Sequence, residues 1–413
     1  MEAMSPEANR RDVTQSAALL RVGAFAGARS TSKAQPSRSG PTPPAPSSAA
    51  GSAPAASAPM PLAPPDAQPP DLKVPEAVAR KAGWAVVGLG QLALEEVMPA
   101  FRECQLSRPV ALVSGHPEKA RKVADAYGLE HQNIYGYDNF DRLADNPAVD
   151  VVYIILPNSL HADYTIRALK AGKHVLCEKP MAVTVSECEQ MIAAAQQANR
   201  KLMIAYRLHY EPFNRKVMEL CTEKALGSVK TFSSSNCQNV TAPNIRLSAT
   251  LGGGPVGDIG IYSINAARYC TGEEPVEVTA VAHQPKDDPR FREVPESVAF
   301  TLRFPSGVLA QCDCSFGTAP SRRYRVHCAE GFIDMDPAFD YRDLRLSLKQ
   351  GDEKAELLIG QVNHFAAEMD HFSDCVLYGK DPRTPGEEGL ADMRVIAAIE
   401  EAARTGRAVR VAG

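Results

Sequence analysis

Residues 83–93 read GWAVVGLGQLA, a short apolar, β-branched run that ends in Gly88-Leu89-Gly90-Gln91-Leu92-Ala93. In this GxGxxA pattern the first glycine permits a tight turn and the second lets the backbone approach a pyrophosphate. The small third residue lets a helix pack on the strand. Alone the motif is a weak signal, and its context is what gives it weight. PVALVSG (109–115), DVVYIIL (150–156), HVLCEKP (174–180) and KLMIAY (201–206) follow as further apolar runs separated by amphipathic stretches. Runs that are apolar throughout belong to parallel strands covered on both faces. An α/β Rossmann domain with a parallel sheet is therefore predicted over about 83–206, with the glycine loop between its first strand and first helix.

Beyond Tyr206 the texture changes. VKTFSSSNC (229–237), EVTAVAH (277–283), SVAFTLRF (297–304), GVLAQCDCSF (307–316), RYRVHCA (323–329) and LRLSLKQ (344–350) alternate more and are divided by turn signals such as Pro305-Ser306-Gly307. They predict an α+β domain over 207–413 with a large, mostly antiparallel sheet. Helices are expected near 255–270, 363–378 and 387–404.

Of the 413 residues, 45 are Lys or Arg, 49 are Asp or Glu and 44% are apolar. The net charge of −4 gives no electrostatic footprint for nucleic acid or an anionic membrane, and no run of about 18 apolar residues predicts a membrane span. A small-molecule partner is expected. Residues 9–28, NRRDVTQSAALLRVGAFAGA, pair Arg10 and Arg11 with a mildly apolar run interrupted by Arg21. Residues 1–30 thus read either as a degenerate twin-arginine export signal, giving a periplasmic protein, or as a disordered basic tail on a cytoplasmic one. Twelve of the 32 prolines fall between Pro36 and Pro70, so 31–82 reads as a disordered Pro/Ala/Ser-rich arm. Ten cysteines without a CxxC pair argue against a metal centre or a disulfide framework.

The second apolar run ends Val113-Ser114-Gly115-His116, with Lys119 one turn later. A hydroxyl and a lysine suit a 2′-phosphate, whereas a carboxylate would repel it, so NADP is favoured over NAD. The competing reading makes Lys119 an ordinary solvated helix residue. Two further motifs carry chemistry. Cys177-Glu178-Lys179-Pro180 closes a strand at the ligand-binding edge of the sheet. In GGGPVGDIGIY (252–262), a helix starting near Pro255 would project Asp258 and Tyr262 from one face. Taken singly, Lys179 could be a surface lysine and Tyr262 a core tyrosine.

EKP at 178–180, YRLHY at 206–210 and GGG…DIGIY resemble the Gfo/Idh/MocA oxidoreductases. VVGLGQLAL, ALVSGHPEKA, the stretch from YIILPNSLHADY to EKPMA, and PGEEGLADMRVIAAIEEAARTGR resemble the glucose–fructose oxidoreductase branch of that family. The resemblance implies that Tyr262 is the acid/base in alcohol oxidation, that Lys179 favours its phenolate, and that Asp258 orients the lysine or a sugar hydroxyl. It also assigns Gly88, Leu89, Gly90, Gln91, Leu92, Ser114, Gly115, Lys119, Tyr137, Leu156, Pro157, Asn158, Leu160, His161, Glu178, Lys179, Arg207 and Arg246 to the cofactor pocket, and it implies a cis Lys179–Pro180 bond. For His161 the alternative is a helix-start residue with no ligand role. Family members carry tryptophan just before this arginine, where the present chain has Ile245, so a stacking surface for the sugar is missing.

The function implied is oxidation of an aldose to its lactone, with the hydride then passed to a ketose through retained NADP in a homodimer or homotetramer. Residues 55–75 would lie across a neighbouring subunit's cofactor site, or serve only as a linker. Two rivals stand beside this: an NADP-dependent aldose 1-dehydrogenase that releases its cofactor, and a dinucleotide-binding sensor without turnover.

Overall fold

The computed structural model describes residues 80–412. The twin-arginine segment and residues 31–79 of the proline-rich arm lie outside the described residues; the arm's last residue, Ala82, is buried as the first residue of β1. Six parallel strands form the first sheet: β1 (Ala82–Val87), β2 (Ser107–Val113), β3 (Ile134–Tyr135), β4 (Val151–Ile154), β5 (His174–Glu178) and β6 (Leu202–Ala205). Their spatial order is β3-β2-β1-β4-β5-β6. All six residues of β1 and all four of β4 are buried, as uniformly apolar runs require. The order reverses between β1 and β4, so the chain leaves their carboxyl ends in opposite directions and opens a crevice there.

The crossovers are helical. A π-helical turn, Ala93–Val97, runs into Met98–Ala100 and together they make α1; then come α2 (Pro117–Tyr127), α3 (His161–Lys170), α4 (Val185–Ala198) and, after β6, α5 (Pro212–Thr222). Local chemistry sets their ends. Thr184 and Glu187 form a reciprocal capping box at the start of α4, and Asn199 closes it in the left-handed conformation.

The second sheet holds nine strands: β7 (Val229–Asn239), β8 (Glu277–His283), β9 (Ser297–Arg303), β10 (Leu309–Ser315), β11 (Gly317–Cys328), β12 (Gly331–Met335), β13 (Leu346–Gln350), β14 (Glu353–Leu357) and β15 (Val409–Arg410). The order is β14-β13-β12-β11-β7-β10-β9-β8-β15. Every pairing is antiparallel except β7 with β10, which makes the sheet mixed. Helix α6 (Ile261–Thr271) packs on β7 and β10.

The two C-terminal helices tie the sheets together. Helix α7 (His364–Tyr378) returns to the first sheet, where the Trp84 indole donates to Ser373 Oγ at 3.0 Å. The same ring meets Phe101, Tyr153 and Phe372 edge-on at 6.1–6.2 Å between centroids. Helix α8 (Gly386–Thr405) lies against α4 and β8. One apolar cluster, holding Ala85, Val152, Phe232 and Leu348 alike, runs without a break from the first sheet into the second. None of the ten cysteines is in a disulfide, and nine are buried. Among the described residues no helix is long and apolar enough to cross a membrane.

Candidate active site

A cleft of about 750 Å³ opens at the crevice between β1 and β4 and continues toward the second sheet. Its floor is the glycine loop. Gly88 has φ +92°, and a Cβ there would stand 2.1 Å from the Ile155 carbonyl oxygen, so only glycine fits between the strand ends. Gly90 differs: a Cβ would find no atom within 4 Å, because the loop backbone borders open space at the start of α1. That space, walled by backbone at a helix N-terminus, fits a dinucleotide diphosphate.

Lys119, from α2, donates to the Leu89 carbonyl at 2.7 Å. It is thus a fixed cation over the loop rather than a solvated helix residue. Ser114, 4% exposed, accepts from the His116 backbone N–H at 3.1 Å, and Gly115 leaves room for the Tyr137 ring. Leu156, Pro157 and Asn158 form the opposite wall, where Asn158 Nδ2 donates to the Gly252 carbonyl at 2.8 Å. His161 is fully buried, with Nδ1 and Nε2 at 2.8 and 2.9 Å from the Pro180 and Leu156 carbonyls. Burial holds its pKa below the ordinary value despite those carbonyls. It borders the cleft, yet both ring nitrogens face backbone, so it clamps the end of β4 to the EKP turn.

At the far end of the cleft the predicted trio comes together. Lys179, 10% exposed, donates from Nζ to the Asp258 carbonyl at 2.6 Å and meets Asp258 Oδ1 at 3.5 Å. Its Nζ is 4.8 Å from the Tyr262 ring centroid. The expected α-helix from Pro255 is instead a π-helical turn, Val256–Gly260, with α6 starting at Ile261. The wider turn frees the Asp258 carbonyl for the lysine; such turns recur at functional sites. Arg246 Nε donates to Asp258 Oδ2 at 2.6 Å, and Gln238 Nε2 is 3.4 Å from the same oxygen. The Lys179–Pro180 peptide is cis.

Glu178, at the end of β5, accepts from the Tyr153 hydroxyl at 2.7 Å. Arg207, 4% exposed, donates to the Phe339 and Asp340 carbonyls at 2.5 and 3.1 Å and sits 3.0 Å from His364 Nδ1. Its guanidinium lies between two phenol rings, 5.3 Å from that of Tyr262 and 4.5 Å from that of Tyr341.

The charges are uneven. Burial pulls the Lys179 pKa down, but Tyr262, Asp258 and Glu178 outweigh it and hold the lysine above its ordinary value. Burial pushes Asp258 up, yet Lys179 and Arg246 overcome it and keep the carboxylate below the usual range. Burial dominates at Glu178 and raises it. Lys179 and Arg246 thus flank one firmly ionised carboxylate, and Arg207 adds a third cation on the Tyr262 ring. Surplus positive charge suits a reaction in which negative charge develops on a substrate oxygen.

Of the residues singled out in the sequence, all line the cleft except Leu160. Leu160 ends the 3₁₀ turn Asn158–Leu160 with its side chain 38% exposed outside the cleft. Sequence reasoning missed Glu95, Glu96, Gln238, Asn244, Tyr341 and Phe365, which also line it. Glu95 and Glu96 follow the GxGxxA loop by one turn and could have been found from the helix period. Tyr341 and Phe365 come from distant, unpatterned segments. Among the described residues no group of three His, Cys, Asp or Glu is placed to hold a metal.

Comparison with known proteins accounts for both halves. Residues 82–206 match the oxidoreductase family with NAD-binding Rossmann fold, and residues 214–334 match the GFO/IDH/MocA C-terminal domain. The chain is 34% identical over 341 residues to a D-xylose 1-dehydrogenase [NADP(+)] of Haloarcula marismortui, covering 79% of this chain and 92% of that one. Among solved structures it is similar to the aldose–aldose oxidoreductase of Caulobacter crescentus complexed with glycerol, with 46% identity, a TM-score of 0.78, and 80% and 100% coverage. A 3-ketoreductase from Actinomadura kijaniata in complex with NADP and TDP-benzene matches with 27% identity, a TM-score of 0.71, and 78% and 98% coverage. The glycine loop at the β1/β4 crevice, the Lys179–Asp258–Tyr262 cluster and matches spanning both domains lead to one assignment: the chain belongs to the GFO/IDH/MocA oxidoreductase family.

Proposed function

We propose that this NADP-dependent sugar oxidoreductase oxidises the anomeric hydroxyl of an aldose to a lactone, keeps its cofactor bound, and returns the hydride to the carbonyl of a second sugar. The observation that carries the reading is the Lys179–Asp258–Arg246 cluster set against the Tyr262 ring at the end of a dinucleotide-shaped cleft. A protein that only sensed dinucleotide would not need an acid/base group held between cations. NADP as cofactor agrees with the fixed Lys119 ammonium and the absence of a carboxylate at 113–116. It also agrees with the NADP(H) of the xylose dehydrogenase and ketoreductase relatives. The acceptor is a ketose, as the sequence resemblance implies, or an aldose, as the Caulobacter relative's name suggests.

NADP, when bound, supplies the hydride acceptor and later the donor. The protein supplies the rest. Gly88, Gly90 and Gln91 would border the diphosphate, Ser114 and Lys119 the 2′-phosphate, and Tyr137, Leu156 and Pro157 the flat walls. As the C1–H bond of the aldose breaks, the Tyr262 oxygen, acting as phenolate, takes the proton from the sugar hydroxyl and becomes the hydroxyl. The Lys179 ammonium beside the ring stabilises the charge, and Asp258 fixes both Lys179 and Arg246 in place. In the second half the same oxygen returns a proton to the alkoxide forming on the acceptor sugar.

Export by the twin-arginine signal and assembly as a homodimer or homotetramer belong to the same proposal. The open face of the nine-stranded sheet, where Val281 is 74% exposed, is the surface offered for assembly. The central experiment uses purified protein with no added cofactor. Reduced-nicotinamide absorbance rises on adding glucose and falls on adding a second sugar. An absorbance change that requires added NADP in every turnover would instead make the protein a conventional aldose dehydrogenase.

A further inference from the structure

Behind Lys179 and Tyr262 lies a second, much smaller recess of about 20 Å³. Lys179 and Tyr262 line both the recess and the cleft, so these two side chains form the partition between them. On the far side stand Tyr206, which follows β6, Asn214 from α5, and Asn265 and Ala266, which share a face of α6 with Tyr262. All four are buried. A single water needs about 10–15 Å³ of such space and two to four polar partners. The space is sufficient, so the partners decide.

Two of the polar walls are already engaged. Asn265 donates to Asp392 at 3.1 Å and its Oδ1 is 2.7 Å from His209 Nε2. Asn214 donates to Glu211 at 2.8 Å and accepts from the Tyr324 hydroxyl at 2.9 Å. Tyr206 differs: it is 4% exposed and its hydroxyl has no hydrogen-bond partner. Burial and the neighbouring Asp392 carboxylate push its pKa well above the ordinary 10, so it stays a neutral hydroxyl whose oxygen is free to accept. An orphan buried hydroxyl is rare in a folded protein. Lys179 has capacity to spare as well, because an ammonium carries three N–H groups and its protein acceptors both belong to Asp258.

We propose that this recess is the site of one structural water that joins Lys179 to Tyr206, which makes Tyr206 a positioning residue for the ammonium. The water accepts from Lys179 and donates to the Tyr206 oxygen, so the side of the ammonium turned away from the cleft is solvated inside the protein. The ammonium otherwise faces Asp258, Tyr262, Glu178 and the repelling Arg246, and Tyr206 faces Asp392, Arg268 and Glu388. Tyr206 does not line the cleft, so its reach to the reaction runs through Lys179. The effect on turnover rests on the sugar-oxidoreductase reading given above; the water site does not.

The test pairs high-resolution crystal structures of the cofactor-loaded parent and Tyr206→Phe with the pH profile of aldose kcat/KM. A density peak within hydrogen-bond distance of Tyr206 Oη and Lys179 Nζ is expected in the parent and is expected to be lost in Tyr206→Phe. The acid limb of the profile should move up by about 0.5–1 pH unit, because a hydrogen bond to the charged lysine is lost and the phenolate loses part of its support. NADPH affinity should stay that of the parent. If Tyr206→Phe does not fold, Ala266→Val, which fills the recess from α6 and keeps the tyrosine, should expel the water and move the limb the same way. A parent without the density peak overturns the site and the role together. Water lost from the variant with superimposable pH profiles overturns the positioning role. A parent that binds NADPH and holds the water but turns over no aldose overturns the sugar reading and the positioning role, not the site.

Discussion

In the proposed reaction Tyr262 carries the chemistry, so its replacement is the sharpest measurement. Tyr262→Phe removes one oxygen and keeps the ring between Lys179 and Arg207. Sugar turnover should fall about 10²–10⁴-fold while cofactor content after gel filtration stays that of the parent. Asp258 divides its contacts between two cations, and Asp258→Asn leaves both without a counter-charge. Because its folded pKa is depressed, the stability that Asp258 contributes is present above the ordinary carboxylate value of 3.8 and is lost as pH falls through the depressed one. Acid unfolding of Asp258→Asn should therefore show a shallower pH dependence below about pH 4, read by chemical denaturation at several pH values. Lys119→Ala should narrow the preference for NADP over NAD about tenfold, measured as the ratio of the two affinities. These residues were legible because each sits in a short contiguous motif. Tyr341 was not, because nothing local to it in sequence signals a place in the cleft.

Among the elements, α7 holds the least expected group. Glu368 is fully buried and neither carboxylate oxygen has a hydrogen-bond partner. Burial, reinforced by Glu178 and only partly opposed by Arg207, holds its pKa well above the ordinary 4.5. A raised carboxyl favours the folded state below about pH 4.5 and disfavours it progressively as pH rises toward the folded value. Glu368→Gln should thus leave the melting temperature near pH 4 little changed and raise it at pH 8. Helices α6 and α8 meet through the opposite arrangement. Arg268, 4% exposed, donates to Asp392 at 2.7 Å, to Glu274 at 2.6 Å and to Glu388 at 3.2 Å. Arg268→Met strands the fully buried Asp392 and should cost about 3–5 kcal/mol in denaturant unfolding. The helices themselves were readable from their apolar period; their partners were not. Period shows that a helix has a buried face, while which sheet covers it depends on contacts hundreds of residues away.

For the whole molecule, the strand runs conveyed the architecture because parallel and alternating patterns differ in which faces they bury. The boundary between domains was less legible, since α7 leaves the second domain's stretch of sequence to cover the first sheet. Trp84, the single tryptophan, sits under that helix. Its fluorescence and far-ultraviolet circular dichroism should therefore report one coincident unfolding transition. Two separated transitions would show that the sheets unfold independently. The bond from Trp84 to Ser373 joins positions 289 residues apart. A ribosome adding about 5–20 residues per second needs roughly 15–60 s to make that interval. Throughout it the nascent nucleotide-binding half waits without its roof, its indole face open to chaperones. Tyr341 and Phe365, which line the dinucleotide cleft, are made late as well, so the complete cleft exists only once the chain has grown past them.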